Sequence, residues 1–276
     1  ESFIHDLIET LLVKLFKSVG VDLPRPFPHI TYDESMDKYG CDRPDLRFGL
    51  EMINVTETLT GVGYKIFQSI IGAGGLIKGI NLKGQASKLS KNMLQQDLAT
   101  KVVPKLGGKG MTWMKMEEGQ LQSNVVQFFT PEEQTRLIQA MGAEEGDVLI
   151  FIADVNHQTV RDVLGRFRLY IADRLGLIDP KVFKPCWVVD FPLFDVIDGK
   201  LSSTHHPFTQ PNVDVSTLTT VEDLAKVRAR AYDVVINGEE VGGGSIRIHR
   251  PDMQQRIFEI LGLSPEEVEE KFGFFV

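Results

Sequence analysis

The chain has 276 residues, 42% hydrophobic and 25% charged, with 30 basic against 38 acidic side chains and a net charge of −8. That length allows two domains with a sizeable core, and a mean hydropathy of −0.07 fits an ordinary soluble protein. No run of 18 apolar residues is present, which excludes a helical membrane span, and the acidic balance argues against binding nucleic acid through bulk charge.

The first residues lack a basic-then-apolar signal pattern, so a cytoplasmic location is expected. Cys41 and Cys186 share no CxxC spacing and are expected to be reduced, with Cys186 a small buried hydrophobe. Residues 2–19 repeat apolar side chains from Phe3 to Val19 with a helical period, and Gly20 stops them. Pro24, Pro26 and Pro28 then predict an extended linker. A short helix follows over 32–39, with Thr31 as its cap.

From residue 53 the texture changes. Turn-rich stretches at 58–63 and 72–75 precede a strand over 76–82, a helix over 90–103, a strand over 111–116 and an extended segment ending at Phe129. Thr130, Pro131 and Glu133 form a helix-start signature for a helix reaching Met141. The turn at Gly146–Asp147 leads into an apolar central strand over 148–153, then a long helix over 157–176. The alternation predicts an α+β insert. It holds no catalytic constellation: His157 reads as a helix-start residue. Lys78, Lys83, Lys88, Lys91, Lys101, Lys105 and Lys109 read as a solvated basic face, with tRNA contact as the competing use.

Beyond Pro185 come a strand over 187–194, a loop at His205, a helix over 221–230, a hairpin over 232–249 and a helix over 251–261. Asn237–Gly238 is a type I′ turn signal, because both residues accept positive φ. The second strand of the hairpin holds Gly242, Gly243 and Gly244, expected as a bulge or a close backbone approach. Asp233, Glu239, Glu240 and Arg247 crowd the same hairpin. They read either as a solvated face or as a site.

Residues 232–249 closely resemble the segment preceding the last signature motif of bacterial-type aspartyl-tRNA synthetases. His205-His206-Pro207-Phe208-Thr209 is similar to that family's substrate loop, and Tyr39-Gly40-Cys41-Asp42-Arg43-Pro44-Asp45-Leu46-Arg47 is similar to its Tyr-Gly-x-Asp-Lys-Pro-Asp-Leu-Arg segment. Asp252-Met253-Gln254-Gln255 and Lys271-Phe272-Gly273-Phe274 extend the resemblance over nearly the whole chain. It implies an α+β fold: a class II antiparallel-sheet catalytic domain in two segments, 1–52 and 185–276, around an inserted α+β GAD domain at 53–184.

The implied activity is ATP-dependent activation of L-aspartate and transfer to tRNA. By resemblance Arg247 grips the aspartate side-chain carboxylate, a task suited to a planar cation of fixed charge, and His205 contacts the same substrate. Glu240 serves ATP and, with Asp233, holds Mg²⁺. Two carboxylates beside a nucleotide need such a cation for charge balance as well. His206 reads as a loop-fixing neighbour or a second ligand. No catalytic residue is assigned within the chain.

Both ends read as cuts, since no initiating methionine opens the chain and no closing element follows Phe275–Val276, and the resemblance implies α- and γ-phosphate arginines and an anticodon-binding barrel that are not found. The chain alone is therefore expected not to form aspartyl-adenylate. The full-length protein is expected to be a homodimer. The alternative is a GatB-like insert acting as a tRNA- or protein-binding module, which leaves His205, Glu240 and Arg247 without a purpose.

Overall fold

The computed structural model describes residues 1–273; Phe274, quoted in the last motif, lies outside the described residues, as do Phe275 and Val276. The chain forms two compact units, one built from Glu1–Glu34 and the chain from Phe183 onward, the other from Ser35–Val182. The division after Glu34 comes earlier than the change of sequence texture at residue 53. Among the described residues no helix is long and apolar enough to cross a membrane.

The first unit opens with α1 (Ser2–Ser18) and β1 (His29–Thr31), and the chain leaves it through α2 (Tyr32–Tyr39), whose first turn is capped by Thr31 Oγ1 accepting from the Glu34 N–H at 3.1 Å. The broad apolar face of α1 is split. Ile4, Ile8, Leu12, Val13 and Phe16 pack inward, whereas Phe3, Leu7, Leu11, Leu15 and Val19 are exposed. Glu9 is buried, and its carboxylate accepts from Trp187 Nε1 at 3.0 Å, the Phe27 N–H at 3.2 Å and Arg25 Nε at 3.2 Å. A buried charge survives only with such partners.

In the second unit a sheet runs in the order β2 (Ile53–Asn54), β3 (Leu76–Leu82), β6 (Val148–Asp154), β4 (Thr112–Glu117), β5 (Gln120–Gln122), antiparallel throughout. The expected central strand is indeed the middle one. Both faces are covered, so its side chains alternate between two cores instead of between core and water. Val148, Ile150 and Ile152 join Leu164, Phe167 and Ile171 of α6 (His157–Arg174). Leu149 and Phe151 join Phe67 of α3 (Lys65–Gly72) and Leu137 and Met141 of α5 (Pro131–Met141). Each large apolar side chain fully buried this way contributes about 1.5–3 kcal/mol.

The Thr130–Glu133 capping box is formed in both directions, and Gly142 closes α5 at φ +55°. One expectation is sharpened here and one fails. The helix expected over 90–103 is wide-turned, a π-helix over Met93–Val102 passing into α4 (Val103–Lys105), and the segment ending at Phe129 is a 3₁₀ turn over Val126–Phe128. The lysines are not one solvated face either. Lys78 is fully buried against Asp37, and Lys83 and Lys109 pair with Asp147 at 3.1 Å and Asp154 at 2.8 Å, leaving Lys88, Lys91, Lys101 and Lys105 exposed.

The segment from Tyr39 to Leu50 is held onto α6 by close backbone contact and one buried cation. Gly40 sits so near the Arg161 carbonyl and Gly165 that neither glycine tolerates a Cβ. Arg168 donates to the carbonyls of Asp45 at 2.6 Å, Gly49 at 2.5 Å and Leu50 at 3.1 Å, and lies 4.2 Å over the Phe48 ring. Burial pushes its guanidinium down to about 10.

The chain returns to the first unit with β7 (Pro185–Val189), β8 (Phe194–Ile197), β9 (Lys200–Ser203), α7 (Val221–Leu224), β10 (Ala231–Ile236), β11 (Glu239–Ser245), α8 (Pro251–Ile260) and α9 (Pro265–Phe272). The sheet order is β1-β7-β10-β11, parallel only between β1 and β7. Trp187, Tyr232, Val234 and Ile236 face α1.

The strand expected to run to Phe194 stops at Val189, because Asp190 turns to φ +57°. The helix expected to reach Arg230 lasts one turn. Beyond it the backbone bonds sideways: the Leu193 N–H donates to Val227 O at 2.9 Å, the Ala229 N–H to Phe191 O at 2.7 Å and the Arg230 N–H to Gln210 O at 2.9 Å. Asp198–Gly199 closes the β8–β9 hairpin with positive φ at both residues, as Asn237–Gly238 does for β10–β11.

Candidate active site

The β10–β11 hairpin determines which charges share a face. Asp233 lies opposite Gly243 and Val235 opposite Glu240, with a register shift between Val234 and Val235. Side chains alternate with period two, so without that shift Glu240 and Gly243, three residues apart, would face opposite sides. Glu240, opposite Val235, shares the face of Asp233 through the two-residue turn, and Val241, the extra residue of a bulge, brings Gly243 onto that side as well. Two-residue steps along β11 keep Ser245 and Arg247 on that side. Glu239, opposite Ile236, belongs to the other face.

The glycines serve both expected purposes. A Cβ on Gly243 would collide with Asp233 Oδ1 and sit 3.3 Å from Glu240 Oε1, so the two carboxylates converge above a residue that must lack a side chain. A Cβ on Gly244 would meet the Tyr232 ring at 3.0 Å, and one on Gly242 would fit against Val234 at 3.6 Å.

The second wall is the loop His205–Thr209, joined to the hairpin end by a bridge between Thr209 and Arg247, with Gln210 N–H donating to Ile246 O at 2.8 Å and Ile248 N–H to Phe208 O at 2.9 Å. His205 is exposed and packs edge-on to Phe191 with centroids 5.1 Å apart. Phe208 is clasped by Phe258 of α8 and Phe272 of α9, and Gln254 Nε2 of α8 donates to Pro207 O at 2.9 Å. His206 turns inward, and its Nδ1 receives the Phe208 N–H at 3.2 Å and Arg247 Nη1 at 2.9 Å.

Between the walls lies a cavity of about 230 Å³ lined by His205, His206, Thr209, Asp233, Glu240 and Arg247 together with Ala231, Gly243, Gly244 and Ser245. All four expected site residues, His205, Asp233, Glu240 and Arg247, line it. Two polar cavity residues were given no role in the sequence reading. Thr209 is buried at the Arg247 bridge, and Ser245 carries a buried Oγ without a partner. Its even spacing from Gly243 and Arg247 was the available signal.

The arrangement sets two hard-oxygen carboxylates at one end and a guanidinium with an imidazole at the other. The carboxylate pair fits Mg²⁺, which takes one or two carboxylates and keeps the rest of its shell for water and phosphate oxygens. The guanidinium fits a planar carboxylate. In the second unit His157 starts α6 with Nε2 2.9 Å from Gly74 O, and among the described residues no group of three or more His, Cys, Asp or Glu side chains could hold a metal by itself.

The family model for tRNA synthetases class II (D, K and N) matches residues 1–276. The chain is 51% identical, over its whole length and 38% of the relative, to an "Aspartate--tRNA(Asp/Asn) ligase 1" of Syntrophus aciditrophicus. It is 45% identical over its whole length and 47% of the relative to the "Aspartate--tRNA(Asp/Asn) ligase" of Aquifex aeolicus. Across 99% of the chain and 46% of the relative it is 42% identical to the "Aspartate--tRNA ligase" of Geobacillus kaustophilus. The chain thus spans less than half the length of these relatives.

Proposed function

The chain belongs to the class II tRNA synthetases of the D, K and N group, and from that premise we propose that it supplies the aspartate- and ATP-binding hairpin of an aspartate–tRNA ligase. The observation that carries this reading is the convergence of Asp233, Glu240, Arg247 and His205 on one cavity. Arg247 receives the side-chain carboxylate of L-aspartate in a two-pronged bond. His205, exposed at the rim, hydrogen-bonds the same substrate. Asp233 and Glu240 hold Mg²⁺, which neutralises phosphate charge when ATP is bound. The chain's own residues bind and align the reactants; they move no proton and form no covalent bond.

Discontinuity belongs to the same proposal: 1–52 and 185–276 form the catalytic segments and 53–184 a GAD-type insert, with the second unit's compact boundary reaching back to Ser35. tRNA as substrate, a cytoplasmic setting and homodimerisation of the full-length protein complete it. The test is aspartate kinetics of the full-length protein carrying Arg247→Lys. A steep rise in aspartate KM with relaxed selectivity against asparagine is expected; an unchanged KM refutes the assignment.

A further inference from the structure

We infer that His206 is a positioning residue for Arg247, and that it acts as a neutral acceptor through Nδ1, not as a second ligand for the substrate. The inference rests on the assignment of Arg247 to the substrate carboxylate. Two obligate donors face the same ring nitrogen: the Phe208 backbone N–H at 3.2 Å and Arg247 Nη1 at 2.9 Å, with the Thr209 hydroxyl at 3.4 Å. Neither a backbone N–H nor a guanidinium can accept, so Nδ1 carries the lone pair and the ring proton is on Nε2.

The ring is also fixed in place. Phe208, its neighbour at 5.9 Å, packs edge-on against the stacked rings of Phe258 and Phe272, and Gln254 holds the Pro207 carbonyl. A guanidinium on a strand end has several rotamers. Tying one Nη to an anchored imidazole fixes the fork without neutralising it, since the acceptor carries no charge. A carboxylate in the place of His206 would fix Arg247 equally well but would cancel the charge that attracts the substrate. This is why an imidazole suits the position.

The charged and titratable groups facing His206 are Arg247 just beyond β11 and His205 from its own loop, with Asp233 and Glu240 across the cavity; α8 presents the neutral Gln254 and Phe258 to the loop and α9 presents Phe272. Burial first, then Arg247 and His205, holds the His206 pKa below its ordinary 6.5. The neutral acceptor therefore persists at neutral pH and is lost only on acidification through that lower value. Protonation at Nδ1 would then both break the bond and set two cations against each other.

The experiment measures L-aspartate and ATP affinity of the full-length protein against pH for His206→Phe, His206→Asn and Arg247→Lys. Asn places an oxygen near the site of Nδ1 but does not titrate. His206→Phe should weaken aspartate about tenfold or more while leaving ATP affinity within about twofold. His206→Asn should restore aspartate affinity to within about threefold and abolish its fall on the acid side. An Asn variant as weak as the Phe variant, or one that keeps the acid limb, overturns the inference. An Arg247→Lys protein with normal aspartate affinity sinks the underlying assignment instead; loss there with no effect of His206→Phe sinks only the role of His206. A ligand-free check is NMR titration of the His206 ring: its pKa should rise in Arg247→Gln, and an unmoved value contradicts the coupling.

Discussion

Two arginines of this molecule lie under opposite constraints. Arg168, in the second unit, is fully buried and spends its donors on the carbonyls of Asp45, Gly49 and Leu50. Arg247, in the first, is exposed, tied by one nitrogen to His206, and opens into a cavity with two carboxylates at its far end. The difference teaches how to separate structural from functional charge. A cation whose donors end on the chain's own backbone holds the fold, and one whose fork points into a cavity leaves capacity for a ligand.

The largest expected effect tests that contrast directly. Arg168→Met orphans buried carbonyls and should cost about 3–4 kcal/mol in urea unfolding, whereas Arg247→Ala should stay within about 0.5 kcal/mol of wild type. Similar losses for both would erase the distinction. Next, Gly243→Ala drives a methyl into Asp233 Oδ1. It should cost about 1–3 kcal/mol and weaken Mg²⁺-dependent ATP binding; normal ATP affinity would remove Asp233 from the metal site.

A smaller effect concerns Asp147 in the second unit. Burial would raise its carboxyl, but the N–H groups of Glu144 and Gly84, the Asn81 amide and Lys83 outweigh it and hold the pKa below 3.8. A depressed folded value stabilises above 3.8 and is lost as pH falls through the lower value. Wild-type stability should therefore drop on strong acidification, and Asp147→Asn should flatten that part of the profile; identical acid slopes would show that the carboxylate contributes nothing. The smallest effect is at Glu239. It faces away from the cavity, so Glu239→Gln should leave ATP affinity within about twofold while Glu240→Gln weakens it, and equal losses would contradict the face assignment made by the hairpin register.

Elements announced by local chemistry were legible in the sequence: the helix face of α1, the Thr130 capping box, the Asn237–Gly238 turn and the apolar strand β6. The same signals overlooked elsewhere were equally present, as Asp198–Gly199 and the Ser264–Glu267 capping box of α9 show. The helix expected to reach Arg230 could not be corrected locally, because what ends it is sideways bonding to Phe191, Leu193 and Gln210. Of the site, the residues were legible and their grouping was not. Asp233, Glu240 and Arg247 stood out as charges on a hairpin, but counting by twos from Glu240 places Arg247 on the opposite face unless the bulge at Val241 is known.

The hairpin, its turn and the charges it carries follow from local sequence, through the φ preferences of Asn and Gly and side-chain alternation. It took the packed fold to show that Gly243 leaves room for the Asp233 carboxylate, that His206 turns inward to meet Arg247, and that the Tyr39–Leu50 segment is held onto α6. Those outcomes depend on register shifts and on contacts between residues 40 to 120 positions apart, which no local window of sequence contains.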